Sequence, residues 1–261
     1  MLIFISIIII LLLCYSTFIE PNKIKITKYH IENAKLKGLK IGFISDFHLK
    51  SNHQKRLKKI IKLLKEQNPD IILSTGDFIY NHKTKGSMKI ETIAEELSKI
   101  IPQYGFYTVL GNHDWLADGI HITKMLQEKN INVLDNSNIR ISLNTGESLY
   151  IAGVEDYQTK SPNINNALQN TNKSTILLTH NPDIFPQLTE KITLTLAGHT
   201  HGGQVRLPFI GAVIVPSKFR SKYAKGVIKE NGNIMIITQG LGNSILPFRF
   251  NCSPEIVLIE F

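Results

Sequence analysis

The sequence predicts a mixed α/β layered domain preceded by one N-terminal transmembrane helix. Short β-branched apolar runs alternate with segments of helical periodicity in the first half of the chain, and the second half is richer in strand-like runs. The chain opens with an uncharged, mostly aliphatic segment, Met1 to Ile19, which at about 1.5 Å per residue spans roughly 28 Å, near the thickness of a bilayer core.

The predicted strands are short apolar runs bounded by Gly or Asx residues, and most of them end in a polar cluster. They cover residues 39–45, 70–75, 106–110, 139–143, 149–154, 175–179, 194–197, 212–215, 234–238 and 256–261. Helical spacing of apolar residues predicts helices over 54–67, 90–101 and 120–129. Because ligands of open α/β sheets bind at the carboxyl ends of strands, we expect the polar clusters to meet at one edge.

The predicted domain organisation has three parts. Residues 1–19 form a membrane anchor, residues 20–38 a basic juxtamembrane segment with the first strand, and residues 39–261 one domain with a large core. Cys14 and Cys252 form neither a CxxC motif nor an expected disulfide, so nothing in the cysteine usage indicates an oxidising compartment.

Two interpretations of Met1 to Ile19 compete, an uncleaved anchor and a cleaved signal peptide. No basic residue precedes the apolar run, and Leu11-Leu12-Leu13 before Cys14 lacks the small residue that lipid modification requires, which favours the anchor. The lysines that follow the run place the downstream domain in the cytoplasm by the positive-inside rule. We therefore predict a single-pass inner-membrane protein with a cytoplasmic domain.

The net charge of +9 is concentrated, since residues 23–65 contain thirteen Lys or Arg against Glu32 and Asp46. This segment is either a solvated basic face or a surface that lies against anionic lipid headgroups. Nucleic acid is not an expected partner, because the chain has no binding motif of that kind and no interleaving of aromatic and basic residues. The sequence does not indicate a protein partner.

The polar clusters contain five of the nine histidines. In chain order they are Asp46-Phe47-His48, Gly76-Asp77, Gly111-Asn112-His113-Asp114, His180 and Gly198-His199-Thr200-His201. Together they supply enough oxygen and nitrogen donors for two adjacent metal ions, an arrangement suited to in-line attack on phosphorus. The remaining histidines, His30, His53, His82 and His121, are interpreted as structural.

This ordered pattern resembles the calcineurin-like metallophosphoesterase superfamily, from Asp46 to His201. The segment from Gly198 to Gln204, the run Gly240-Leu-Gly-Asn-Ser244 and Pro254-Glu255 resemble a membrane-associated bacterial branch of it. The resemblance implies two mixed β-sheets sandwiched between helices. It also implies a phosphoester hydrolase in which a hydroxide shared by two divalent metal ions attacks phosphorus.

The resemblance further implies a role for each residue. Asp46, His48, Asp77 and His201 would hold one ion, and Asp77, Asn112, His180 and His199 the other. His113 would protonate the leaving oxygen, with Asp114 orienting its ring. Imidazole and carboxylate donors suit Mn, Zn, Fe or Co. In a fully extended chain His199 and His201 would face the same side.

The substrate is less well determined. The sequence Gly76-Asp-Phe-Ile-Tyr80 departs from the protein phosphatase motif, which argues against a phosphoprotein. The anchor favours a lipid-linked phosphate or pyrophosphate, such as UDP-2,3-diacylglucosamine. Residues 207–225, apolar and then basic, are either a lid that meets lipid or an ordinary hairpin. A tethered hydrolase of soluble phosphodiesters and a non-catalytic metal-binding scaffold are the alternatives.

Overall fold

Two six-stranded sheets form the centre of the protein in the computed structural model, which describes residues 2–80 and 86–261. Met1 and His82 therefore lie outside the described residues. The first sheet has the order Lys25–His30 (β1), Glu255–Glu260 (β14), Lys40–Ile44 (β2), Ile71–Ser74 (β3), Phe106–Thr108 (β4) and Ile131–Val133 (β5). Strands β2 to β5 are parallel, and β14 runs antiparallel to β2.

The second sheet is also mixed. Its order is Gly226–Glu230 (β12), Asn233–Ile237 (β13), Leu194–Ala197 (β9), Thr175–Thr179 (β8), Ser148–Gly153 (β7) and Ser137–Ser142 (β6). The four central strands are parallel and the two edge strands antiparallel. A separate hairpin pairs Arg206–Leu207 (β10) with Gly211–Ala212 (β11).

The helices cover the outer faces of the two sheets. They are Gln54–Glu66 (α2), Ile90–Leu97 (α3) and Asn112–Gln127 (α4) on the first sheet, and the short Ile164–Leu168 (α5) on the second. Apolar side chains of both inner faces pack into one buried layer. They include Phe43 and Leu73 from the first sheet and Ile176 and Leu196 from the second. The predicted fold class, two mixed sheets sandwiched between helices, is confirmed.

Several elements differ from the predicted ones. Helix α4 has an additional first segment that begins at Asn112, because Gly111 is extended and the Asp114 carboxylate accepts its N–H. A non-helical Asp118 separates this segment from the second one, which corresponds to the helix predicted from residue 120. The strand predicted at 212–215 is wrong beyond Ala212, since Val213 and Ile214 are exposed. Strands β5 and β12 were not predicted, and β1 occupies the segment where a first strand was expected.

The N-terminal helix is continuous with the domain rather than joined by a linker. Leu2–Cys14 (α1) passes through a π-helical turn, Tyr15–Ile19, into a 3₁₀ turn, Glu20–Asn22. By length and composition Ile3–Asn22 is able to cross a membrane, although a signal sequence meets the same criteria.

The base of this helix is fixed by buried polar contacts. The Glu20 carboxylate, 2% exposed, accepts hydrogen bonds from the backbone N–H of Asn251 and of Cys252. The Arg56 guanidinium of α2 donates to the carbonyls of Pro21 and Leu241. Because Leu241 lies in the loop that contacts Asp46, the helix base and the site described below share one hydrogen-bonded framework.

Candidate metal centre

Five loops at the carboxyl ends of strands bring the predicted site residues together. Asp46 and His48 follow β2, Asp77 follows β3, and Asn112 begins α4 after β4, all on the first sheet. On the second sheet, His180 follows β8, and the loop of His199 and His201 follows β9. Contacts cross between the sheets: the backbone N–H of His199 donates to Asp46, at 3.0 Å from Oδ1, and His180 Nδ1 donates to the Thr75 carbonyl at 2.7 Å.

One group of donors faces a common point beside β2. His48 Nε2 and His201 Nε2 lie 3.1 Å apart. Asp46 Oδ1 is 3.4 Å from His201 Nε2, and Asp77 Oδ2 is 3.4 Å from His48 Nε2. All four side chains are buried.

A second group lies on the other side of Asp77. Asn112 Oδ1 is 3.1 Å from both His180 Nε2 and His199 Nδ1, and these two nitrogens are 3.2 Å apart. Asp77 Oδ2 is again 3.4 Å from His180 Nε2. The same carboxylate oxygen thus belongs to both groups.

These spacings fit metal ions. Ligand atoms bound to one ion at about 2.0–2.2 Å must lie roughly 3.0–3.4 Å from one another, which is the spacing in both groups. Two neutral imidazole nitrogens facing each other, as in the pair of His48 and His201, hydrogen-bond only when one carries the proton, whereas a shared cation accepts the lone pairs of both. The described residues therefore offer a site for two ions with Asp77 between them.

Backbone strain is concentrated in this site. Asp46, His48, Asp77, His199 and His201 all have positive φ, between 42° and 68°, a region that non-glycine residues rarely occupy. The chain at His199 and His201 is therefore not extended. A left-handed residue on each side of a helical Thr200 directs the two imidazoles to different donor groups.

Two glycines allow the loops after β3 and β4 to touch. A Cβ on Gly76 would lie 2.2 Å from the backbone nitrogen of Gly111, and one on Gly111 would lie 2.1 Å from Asp77 Oδ1. Gly76 also has a φ of 87°. A side chain at either position would displace the backbone that carries Asp77.

Asp114 contacts the Asp77 loop. Its Oδ2 accepts the backbone N–H of Asp77 at 2.7 Å, and its Oδ1 accepts that of Phe78 at 3.0 Å. These bonds, with those from the backbone N–H groups of Ile79 and Gly111, engage both oxygens of the Asp114 carboxylate. The geometry therefore favours a role for Asp114 in positioning Asp77 rather than the expected role of orienting the His113 ring.

His113 lies on the wall of the cavity above the donors. Its ring centroid is 4.7 Å from that of His48, with the two rings nearly perpendicular. Its backbone N–H donates to Asp77 Oδ1 at 2.9 Å. A ring nitrogen of His113 also lies within 4.8 Å of donor atoms of His48 and Asp77, so a ligand role must be separated from an acid–base role by experiment.

Two further residues contact the ligands and were not predicted. Gln158 Nε2 is 3.1 Å from His199 Nε2; if Nδ1 of that ring binds metal, Nε2 carries the proton, and the Gln158 amide must present its oxygen. Arg249 is fully buried, with Nη2 3.4 Å from His201 Nδ1 and 2.8 Å from the Gln239 carbonyl. Neither lies in a motif, and only the fold brings them to the site.

The histidines differ in protonation. Burial lowers the pKa of His48 to about 4 and that of His199 to about 3, so both rings are neutral and available as ligands at pH 7. Burial also acts to lower the pKa of His180, but the carboxylates of Asp77 and Asp46 outweigh it and raise that pKa to about 10. Without metal, His180 is therefore protonated.

We expect metal binding at pH 7 to release about one proton per chain, because the His180 proton must leave before Nε2 binds a cation. The sign follows from the raised pKa: affinity increases with pH below about 10. Calorimetric titration in buffers of different ionisation enthalpy measures the number of protons released. Metal uptake with no proton release would contradict this assignment.

Two donor groups that share a carboxylate define a hydrolase of the two-metal class. The sequence profile of the calcineurin-like phosphoesterase family matches residues 39–203. The chain belongs to this family, and it is a phosphoester hydrolase with a divalent metal centre.

Relatives extend the match over nearly the whole chain. An uncharacterized metallophosphoesterase of Bacillus subtilis, YkuE, is 32% identical over 94% of this chain and 87% of its own length. An uncharacterized metallophosphoesterase of Aquifex aeolicus is 32% identical over 96% of both. A transmembrane protein with a metallophosphoesterase domain from Danio rerio is 27% identical over 92% of this chain and 57% of that protein. Among solved structures, the 5′-nucleotidase precursor of Thermus thermophilus has a TM-score of 0.49 at 13% identity, covering 78% of this chain and 49% of that one.

Proposed function

We propose that the protein is a membrane-anchored hydrolase with two divalent ions that cleaves a lipid-linked phosphate or pyrophosphate, for which UDP-2,3-diacylglucosamine is a candidate. One observation carries the proposal. A cavity of about 360 Å³ is lined by Asp77, His113 and His199 and also by Ile214 and Ile245. A substrate with a phosphate next to an apolar chain matches this mixed lining.

The residues have distinct proposed roles. Bound in the two donor groups, divalent ions supply Lewis acidity and a nucleophile near neutral pH. Asp77 bridges the two positions, and the neutral Asn112 limits the negative charge around them. His113 donates a proton to the leaving oxygen from the cavity wall. Asp114 holds the Asp77 loop through three backbone hydrogen bonds and accepts a fourth from Gly111.

The proposed location is the inner membrane, with the domain in the cytoplasm. The apolar face of Ile3–Asn22 is exposed, which suits lipid, and Lys23, Lys25 and Lys28 follow it directly. Protease treatment of spheroplasts tests the orientation. Cleavage of the domain from outside would contradict a cytoplasmic location.

The substrate test uses the full chain in lipid vesicles. Turnover of lipid phosphates and pyrophosphates is followed by mass spectrometry, with soluble bis-p-nitrophenyl phosphate in parallel and Mn, Zn, Fe and Co each supplied in turn. We expect kcat/KM for a lipid substrate to exceed that of the soluble diester by about 10²-fold, since binding energy from the apolar chain contributes to catalysis.

The same experiment separates the alternatives. Efficient hydrolysis of the soluble diester with no lipid turnover would indicate a tethered enzyme for soluble substrates. A metal-loaded protein that hydrolyses neither would indicate a scaffold. Elemental analysis of each sample establishes that the site is loaded.

A further inference from the structure

Exposed apolar side chains lie on two loops that line the cavity. They comprise Phe209, Ile210, Val213, Ile214, Ile245 and Leu246, which we call the apolar rim. Ile214, Ile245 and Leu246 line the cavity itself, and the other three belong to the same loop as Ile214. Phe209 and Ile245 are 110% and 95% exposed, so water covers nearly their entire side chains. A soluble protein rarely exposes large apolar residues in such a cluster, because each is more stable when removed from water.

The two loops of the rim are held together by polar contacts. The Gln204 amide nitrogen donates to the Leu246 carbonyl at 2.9 Å, and its oxygen accepts the Ser244 N–H at 2.8 Å. Val213 N–H donates to the Val205 carbonyl next to Gln204. The rim is thus one surface with a defined conformation.

The residues at the tips of both loops have a strained backbone conformation. Phe209 has a φ of 65° and Ile245 a φ of 56°, and for a β-branched residue such as isoleucine this conformation is strained. Packing against the protein does not explain the strain, since both side chains are exposed.

The rim is continuous with the N-terminal helix. Arg249, three residues after Leu246, donates its backbone N–H to the Ser16 carbonyl at 2.9 Å, so the loop of Ile245 ends where the apolar helix meets the domain. Exposed basic residues, Lys218, Arg220 and Lys225, follow the other loop. An apolar surface with adjacent cations matches a bilayer with anionic headgroups.

We propose that the apolar rim inserts into the lipid bilayer, so that the cavity opens at headgroup depth and receives its substrate laterally from the membrane. The occupant of this surface is the bilayer itself. The proposal deepens the proposed function and rests on its membrane placement.

Environment-sensitive fluorescent labels test the insertion. Single cysteines are introduced in the full chain as Phe209→Cys or Ile245→Cys, each with Cys14→Ser, while the buried Cys252 is retained. The proteins are labelled with a nitrobenzoxadiazole dye and reconstituted into vesicles of phosphatidylcholine and phosphatidylglycerol that contain doxyl-labelled lipid. We expect a blue-shifted emission and quenching by the doxyl lipid at both positions.

The matched control is Ile101→Cys with Cys14→Ser. Ile101 is 89% exposed, but it precedes β4 and so lies at the amino ends of the strands, opposite the site. Its label should remain in water. Labels at residues 209 and 245 that are as water-exposed as that at 101 would overturn the proposal.

A label on the native Cys14, which is exposed on the apolar helix, tests the membrane anchor separately from the apolar rim. Quenching at Cys14 without quenching at residues 209 and 245 would support the membrane anchor and reject insertion of the apolar rim. Absence of quenching at all three positions would reject the rim and the membrane placement together. Quenching at residues 209 and 245 alone would support insertion independently of the helix.

Discussion

Asp77→Asn should abolish both metal binding and turnover. The substitution leaves an oxygen that can accept the His113 N–H, as Oδ1 does now, so the local backbone is retained. It replaces Oδ2, the atom common to both donor groups, by an NH₂ group that cannot bind a cation. We expect metal content to fall from two ions per chain towards zero. Turnover should fall by at least about 10³-fold, since loss of a single electrostatic contact to a transition state already costs about 10²–10³.

Elemental analysis and steady-state kinetics of the purified full chain measure these effects. Asp118→Asn is the matched control, because Asp118 is exposed and accepts only a local hydrogen bond from the His121 N–H. Without metal the variant should unfold at a lower temperature, since Asp77 pairs with the protonated His180 and removal of one partner of a buried ion pair is destabilising. Retention of two ions by Asp77→Asn would refute the bridging role.

His113→Ala should reduce turnover and leave the metal in place. The ring lies above the donor groups, and we propose that it protonates the leaving oxygen, a contribution worth about 10²–10⁴ in kcat. The loss should depend on the leaving group. An alkoxide needs the proton and should show the full effect, whereas nitrophenolate leaves unprotonated and should show a smaller one.

Kinetics with alkyl and nitrophenyl esters, together with metal analysis, test this prediction. His121→Ala is the control, since His121 is an exposed histidine of the same helix that pairs with Glu91. Loss of metal in His113→Ala equal to that in Asp77→Asn would make His113 a ligand, which its distance to His48 and Asp77 permits. An equal loss of turnover for both ester types would exclude the proton-transfer role.

The fold and the set of clustered residues were predictable because one rule connects them. Each motif follows an apolar run, and parallel strands end at one edge, so residues as distant as Asp46 and His201 were expected to meet. The strands that were missed are short or at the edge of a sheet. Ile131–Val133 has only three residues, and Gly226–Glu230 alternates partly buried and exposed side chains without a strong apolar pattern.

The conformation of the ligand loops was not predictable from composition. Left-handed backbone at His199 and His201 is intrinsically unfavourable for histidine, and it persists because contacts such as the hydrogen bond from His199 N–H to Asp46 hold it in place. The contacts of Asp114 were unpredictable for a related reason. The resemblance implied that Asp114 orients the His113 ring, and that role stays a prediction. In the structure the helix begins at Asn112 and directs the carboxylate to the backbone of the Asp77 loop.

Gln158 and Arg249 were also outside the reach of sequence analysis. Each is a single polar residue in an irregular loop, and its contact with a ligand spans 41 or 48 residues along the chain. The rim had a partial signal, since residues 207–215 are apolar. Its second half, Ile245 and Leu246, is distant in sequence and becomes its neighbour in the fold, where the Gln204 side chain donates to the Leu246 carbonyl.

The buried Glu20 has a consequence for how the enzyme searches for substrate. A catalytic domain on a flexible linker samples a volume set by the linker length, and its concentration near the bilayer falls accordingly. Here Glu20 and Arg56 fix the base of the apolar helix to the domain. In the membrane placement that we propose, the metal centre would therefore stay at one height above the bilayer, and it would reach only phosphoesters whose reacting group lies within that narrow layer.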